Sequence, residues 1–158
     1  MRLMSNSKKR AGKAILSVLL AVTALFTLTG TASAAVTVPP GGSGHTCSTY
    51  SHDTGNAGWY WQTCAWADNN EVYFTVNLGN TTNQNWNVDW IDIYYYSRGT
   101  NFTFCHTWTG FNVAAHSVTM TPTATCAYPR VRAAYAAFGN VEEGTYKDDR
   151  TSPSLQVQ

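Results

Sequence analysis

Along the chain, apolar and polar positions alternate singly far more often than they recur at helical spacing, and the cleanest case is Glu71 to Leu78. There Val72, Phe74, Val76 and Leu78 fall on one side, and Glu71, Tyr73, Thr75 and Asn77 on the other. A period of two marks a strand with one buried face. Directly before it stands Gly58-Trp59-Tyr60-Trp61-Gln62-Thr63-Cys64-Ala65-Trp66, too aromatic for solvent and too short and β-prone for an ordinary helix. Gly58 to Ala67 is therefore expected to be a central strand, joined to the next by a turn at Asp68-Asn69-Asn70.

Further on, Trp86, Val88 and Trp90 share one phase, whereas Ile91, Ile93 and Tyr95 carry the opposite one. A slip of phase inside a long strand predicts a β-bulge or bend near Asp89 to Asp92. Ser97-Arg98-Gly99-Thr100 turns the chain, and Asn101 to Thr109 returns it with Phe102 and Phe104 on one face and Cys105 on the other. Thr46 to Ser51 and His116 to Thr121 read as further strands, the latter ended by Pro122. Gly79 to Asn85 and Gly110 to Ala115 read as loops. Tyr128 to Phe138 is contested: four alanines favour a helix, but the lead-in Pro129 and the alternation Val131, Ala133, Tyr135 favour a strand. About seven short strands without a helix predict an all-β fold, a small disulfide-stabilised antiparallel β-sandwich or a flattened barrel.

The two ends depart from this pattern. Arg2, Lys8, Lys9, Arg10 and Lys13 precede an apolar run from Ala14 to Leu28 and then Ala32-Ser33-Ala34, the layout of a secretory signal peptide cleaved after Ala34. The apolar run is short of the ~20 residues that a spanning helix needs. Residues 1–34 are thus expected to be a leader, 35–45 a flexible arm, 46–140 the sandwich domain and 141–158 a polar tail. In the arm, Ala35-Val36-Thr37-Val38 can form a strand, whereas Pro39 and Pro40 with three glycines cannot hold regular structure. Such an arm is either a frayed terminus or a strand that adds to a partner's sheet. The charged tail is either mobile or folded back through Tyr146 and Val157.

Removing the leader changes the charge. Ten basic residues less the five in the leader leave five against nine acidic ones, a formal net charge of −4 on the remaining 124 residues. That balance argues against nucleic acid and against electrostatic docking to an anionic membrane. An exported chain with Cys47, Cys64, Cys105 and Cys126 is expected to carry two disulfides. Of three connectivities, Cys47–Cys64 with Cys105–Cys126 is favoured because each pair brackets a hairpin-sized segment. No C-x-x-C or H-x-x-x-H spacing suggests a metal, and no cofactor is expected.

Candidate reactive groups are few. His52-Asp53 are adjacent, without the spaced nucleophile, base and orienter that acyl transfer needs. Asp89 with Asp92, or Glu142 with Glu143, could form carboxylate pairs, but the first pair flanks the expected bulge and the second sits in the charged tail. His106 and His116 fall on strands, where a structural role is ordinary. A binding function is expected instead. Six tryptophans and nine tyrosines exceed what a small core needs, so Tyr73, Tyr94, Tyr96 and Trp108 are candidate surface rings, and Trp59 joins them as a candidate partner contact. Exposed rings suit protein contact or sugar stacking, which makes carbohydrate the competing ligand class.

Two resemblances bear on this. Cys47 and Cys64 bracket Trp59-Tyr60-Trp61 in a way similar to the first disulfide of the tendamistat-type α-amylase inhibitors, which brackets a Trp-Arg-Tyr element on a secreted β-sandwich. Here Tyr60 replaces the arginine, the second cysteine pair is spaced differently, and the chain is longer. The resemblance implies a secreted inhibitor of a hydrolase such as an α-amylase or a protease. The alanine-rich leader, the Val36-Thr37-Val38-Pro39-Pro40 arm on a glycine tether and the compact disulfide domain resemble the small adaptor subunit of the streptomycete umbrella toxin particles. This second resemblance implies a connector in an extracellular antibacterial complex, which binds one protein partner through its domain while residues 35–40 extend into another.

Overall fold

The structure is a computed structural model that describes residues 35–53, 55–98 and 101–158. The leader and its cleavage site lie outside the described residues, as does part of the expected turn at Gly99-Thr100. Twelve strands follow one another among the described residues: β1 (Val36–Val38), β2 (Gly44–Cys47), β3 (Ser51–His52), β4 (Trp59–Ala67), β5 (Glu71–Asn80), β6 (Trp86–Ser97), β7 (Thr103–Val113), β8 (Ser117–Met120), β9 (Ala127–Pro129), β10 (Ala133–Glu143), β11 (Tyr146–Thr151) and β12 (Leu155–Val157). One sheet runs β1-β12-β10-β6-β7 with β11 also on β10; the other runs β2-β4-β5-β8 with β3 on β4 and β9 on β5. The all-β sandwich with two disulfides, Cys47–Cys64 and Cys105–Cys126, is as expected.

The count of about seven strands falls short because several lines of pairing are broken in two. β11 and β12 lie along one flank of β10, at 138–143 and 133–135. Likewise β2 and β3 share a flank of β4, and β8 and β9 share a flank of β5. The strand expected from Thr46 to Ser51 is in fact β2 plus β3. The contested segment is strand, interrupted between β9 and β10 at Arg130-Val131-Arg132.

Period-two burial sets the core. Val72, Phe74, Val76 and Leu78 are all fully buried, together with Trp61 of β4 and, from the facing sheet, Ile91, Ile93, Ala137 and Val141. In β6 the change of phase is present: Val88 and Ile91 are buried while Asp89 and Trp90 are exposed. The β6–β7 pairing passes over Asp89 and Gly110, and its register shifts further along, between Ile93 and Tyr94. Gly110 adopts a φ of 62°, a conformation that glycine takes without a Cβ penalty.

Four boundaries are corrected. Gly79 and Asn80 belong to β5, not to a loop, and buried Asn80 donates through Nδ2 to the carbonyls of Gln84 and Val113. β7 continues to Val113, through the first part of the expected Gly110 to Ala115 loop. Residues 141–158 are not a mobile tail but fold back, the second of the two expected courses: β10 ends at Glu143, β11 and β12 follow, Leu155 and Val157 are buried, and Tyr146 packs against the core. Residues 35–45 are not a loose arm either. Val36–Val38 pair in parallel with Leu155–Val157, and Val38 is only 1% exposed.

Arg130 holds this end together. Its guanidinium donates to the carbonyls of Gly42 (2.6 Å), Pro39 (2.6 Å) and Asp68, with a longer contact to Gln158 (3.4 Å). The Asp68 carboxylate accepts the backbone N–H groups of Asn70 and Glu71 at 2.8 Å each. These bonds hold its pKa below the ordinary value, and Arg130 adds to the effect.

Candidate binding surface

Strand register assembles an aromatic surface on the outer side of the β10-β6-β7 sheet. Ile91 and Ile93 point inward, so Tyr94 and Tyr96 point outward. Tyr94 pairs with Phe138 of β10 and with Phe104 of β7. The rings meet edge to face at 5.7 and 5.4 Å. Phe102 closes the group, 5.7 Å from Tyr96 and 5.4 Å from Phe138. Phe102 is 45% and Phe104 54% exposed. Beside them a groove of about 520 Å³ runs between Tyr96, Phe102, Ala136 and Ser154.

The same face changes character toward the other end of β6. Asp92 stands in register with Asn140 and Asp149, and Trp90 with Glu142 and Lys147. Thr107 bonds Asp92, and Lys147 pairs with Glu142. One half of the surface is therefore apolar and aromatic, while the adjoining half carries three carboxylates against one ammonium.

A second exposed apolar group occupies the outer side of the other sheet, opposite the first across the core. Val118 (71% exposed) pairs with Gly79, and Met120 (43%) with Asn77. Tyr60 lies over Gly79, where a Cβ would come 2.1 Å from its ring. Tyr50 meets Tyr60 edge to face at 5.2 Å. Trp66 stacks between His45 (4.2 Å) and Tyr73 (5.9 Å) on this side.

The expected site residues scatter with respect to these surfaces. Tyr94 and Tyr96 are at the aromatic face. Trp59 is not: it stacks on buried Trp86 at 5.4 Å. Trp108 packs against the core beside His106. Tyr73 is half-buried in the His45–Trp66 stack. Of the arm residues, Val36, Thr37, Pro39 and Pro40 are exposed but Val38 is not, and β1 adds to this chain's own sheet. In Trp59-Tyr60-Trp61, only Tyr60 faces outward. Phe138, Val118 and Met120 were not anticipated. Alternation had already set Phe102 and Phe104 on the face opposite Cys105, but no local signal brings Phe138 beside them.

The candidate reactive pairs do not converge. His52 lies over Tyr60 on the outside, while Asp53 is buried and caps the N–H of Gly55 at 2.7 Å. Glu142 turns outward to Lys147 and Glu143 bonds the Nε1 of buried Trp86. Asp89 accepts the N–H of Gly144, and His116 meets Asn83 at 2.6 Å. The Ser51 hydroxyl, not anticipated, donates to Asp148 and accepts from Arg150 at 3.1 Å. Tyr146 joins it at 3.0 Å and receives the Trp61 N–H at 3.0 Å. This network bridges the sheets, and its carboxylate is already neutralised by Arg150.

Glu143 has its pKa raised, by burial first; Trp86 opposes the shift, and Asp53 and Asp89 add repulsion. A raised carboxyl pKa means that the ionised form costs stability near neutrality, a cost relieved as pH falls through the folded-state value. Glu143→Gln keeps an acceptor for Trp86. The melting temperature is expected to rise at about pH 7, with the gain gone at about pH 3. An equal gain at both pH values would exclude this cause.

The chain matches no protein-family model, and comparison with curated proteins and with solved structures finds no similar one.

Proposed function

We propose that this protein is an exported, non-catalytic adaptor that holds protein partners on the two outer faces of its sandwich, as a connector in an extracellular antibacterial complex would. The observation that carries the reading is the Tyr94, Tyr96, Phe102, Phe104 and Phe138 cluster, which leaves large rings exposed on a rigid, disulfide-held sheet. Monomeric proteins seldom expose contiguous apolar surface without a use for it. Two disulfides are in keeping with export. The second apolar group, around Val118 and Met120, faces the opposite direction, as suits a connector with two neighbours.

The chemistry of the first face favours a protein over a sugar. Its rings meet at interplanar angles of 46° to 68°, so they form a tilted pocket rather than a flat platform for a pyranose. Phenylalanine brings no polar group to meet hydroxyls. The adjoining carboxylates of Asp92, Glu142 and Asp149 call for a partner segment that carries an apolar anchor followed by Lys or Arg.

The test is a pull-down from the producing cell's culture medium with wild type, Phe102→Ser/Phe104→Ser and Val118→Asp, each first shown to be folded by circular dichroism. Loss of an aromatic anchor costs about 2 kcal/mol or more, so roughly 30-fold weaker retention of one partner is expected for the phenylalanine variant. A different partner should be lost with Val118→Asp. Retention indifferent to both changes, or retention on polysaccharide in its place, would overturn the proposal.

A further inference from the structure

A separate cavity opens beside the last residues of β6, the start of β7 and the break between β9 and β10. It measures about 310 Å³ and is walled by Tyr95, Tyr128 and Tyr135, with Ser97, Arg98 and Thr103 at its rim. That is the lower end of the range for small-molecule sites. The ring walls are fixed from behind: Tyr95 stacks on buried Phe74 at 5.0 Å and meets Tyr128 at 4.4 Å. The Tyr135 hydroxyl is tied to the carbonyl of Val131 at 2.9 Å. The apolar part of the cavity is therefore preformed.

Arg98 is the unusual member. Of the five basic residues after Ala34, Lys147 and Arg150 have carboxylate partners, Arg130 is engaged by carbonyls, and Arg132 does not line the cavity. Arg98 has no ion pair among the described residues. It also holds a φ of 60°, a left-handed conformation that costs a non-glycine residue of order 1 kcal/mol or more, although glycine is the next residue in the sequence. Its backbone N–H donates to the carbonyl of Ala134 at 3.1 Å. An arginine kept at a strained position, without a carboxylate partner among the described residues and lining an aromatic cavity, suits recognition of an anion.

We infer that this cavity binds an organic carboxylate bearing a single ring-sized apolar group, with the carboxylate on Arg98 and the group against the wall formed by Tyr95, Tyr128 and Tyr135. Two sources share that chemistry: a free aromatic acid, and the C-terminal residue of a peptide that ends in phenylalanine. The site is distinct from the two docking faces and stands or falls separately from them.

The probes are 4-hydroxybenzoate, a hexapeptide ending in phenylalanine with a free carboxylate, and the same peptide amidated. Binding is read by calorimetry and by amide shifts around Tyr95 and Tyr128. Saturable binding is expected for at least one acid, with the amide at least tenfold weaker. The acid that binds identifies the source. Arg98→Gly fits the backbone conformation without strain, so the variant should be at least as stable as wild type yet bind the acid at least tenfold more weakly, with Arg98→Lys in between. Equal binding of acid and amide, unchanged affinity in Arg98→Gly, or no saturable binding of either acid would overturn the inference.

Discussion

Replacing Gly139 by alanine is expected to destabilise the protein by about 3 kcal/mol, the upper part of the range for overpacking a tight core. Gly139 lies on β10 with its missing side chain directed at the other sheet. A Cβ there would come 2.4 Å from Thr63 Oγ1 and 3.0 Å from Val76 Cγ2. Both neighbours are buried on central strands, so neither can swing away as a surface side chain would. Glycine at this point lets β10 approach β4 and β5 closely. Thr63 Oγ1 is itself buried without a hydrogen-bond partner among the described residues, and its removal makes room. Thr63→Ala is therefore expected to rescue Gly139→Ala, with a coupling of about 1–2 kcal/mol in a double-mutant cycle. Additive effects in urea unfolding would show that the two residues do not compete for one space.

This contact was invisible in the sequence, whereas the strand that holds it was legible. β5 could be read because its inward positions are all apolar and its outward ones are not. β11 could not, since Tyr146, Asp148 and Arg150 turn inward and bond one another, Ser51 and Trp61. An inward-facing ion pair erases the alternation of hydropathy on which the reading rests, and the segment passes for a solvated tail. β1 was legible as a strand, but its place in the sheet was not. Among the described residues it pairs in parallel, with residues more than a hundred positions away, and no local pattern encodes that.

The binding surface divides along the same line. Phe102 and Phe104 were placed on one face by alternation, and Tyr94 and Tyr96 follow from the phase of Ile91 and Ile93. Their convergence with Phe138 depends on the register of β10 against β6, a non-local quantity. Trp59 and Trp108 were chosen for size, and size sends a ring into the core as readily as onto the surface. The structure packs both, half-buried, against the core, although the buried Trp59 Nε1 has no partner among the described residues.

The second large effect concerns Arg130 and reverses the meaning of a test that the sequence suggested. Residues 35–40 were expected to reach into a partner, so deleting them would have been the natural way to release one. In the structure the carbonyls of Pro39 and of nearby Gly42 are held by Arg130, Val38 is in the core, and the Gln158 N–H donates to the carbonyl of Val38 at 3.0 Å. Arg130→Leu removes charge-assisted bonds to three well-placed carbonyls. Each such bond is worth about 1.5–3 kcal/mol when buried; half-exposed as these are, a total loss of about 3 kcal/mol is expected. The loss should also be local. Hydrogen exchange should speed by at least tenfold at Thr37, Val38 and Gln158 while β4 and β5 keep their protection. If β1 is instead a docking strand that rests only loosely on β12, its amides will already exchange fast in the wild type, and Arg130→Leu will leave them unchanged. Slow wild-type exchange there would mean that any partner lost on deleting the arm is lost through a damaged sheet, which leaves the outer faces as the surfaces to probe.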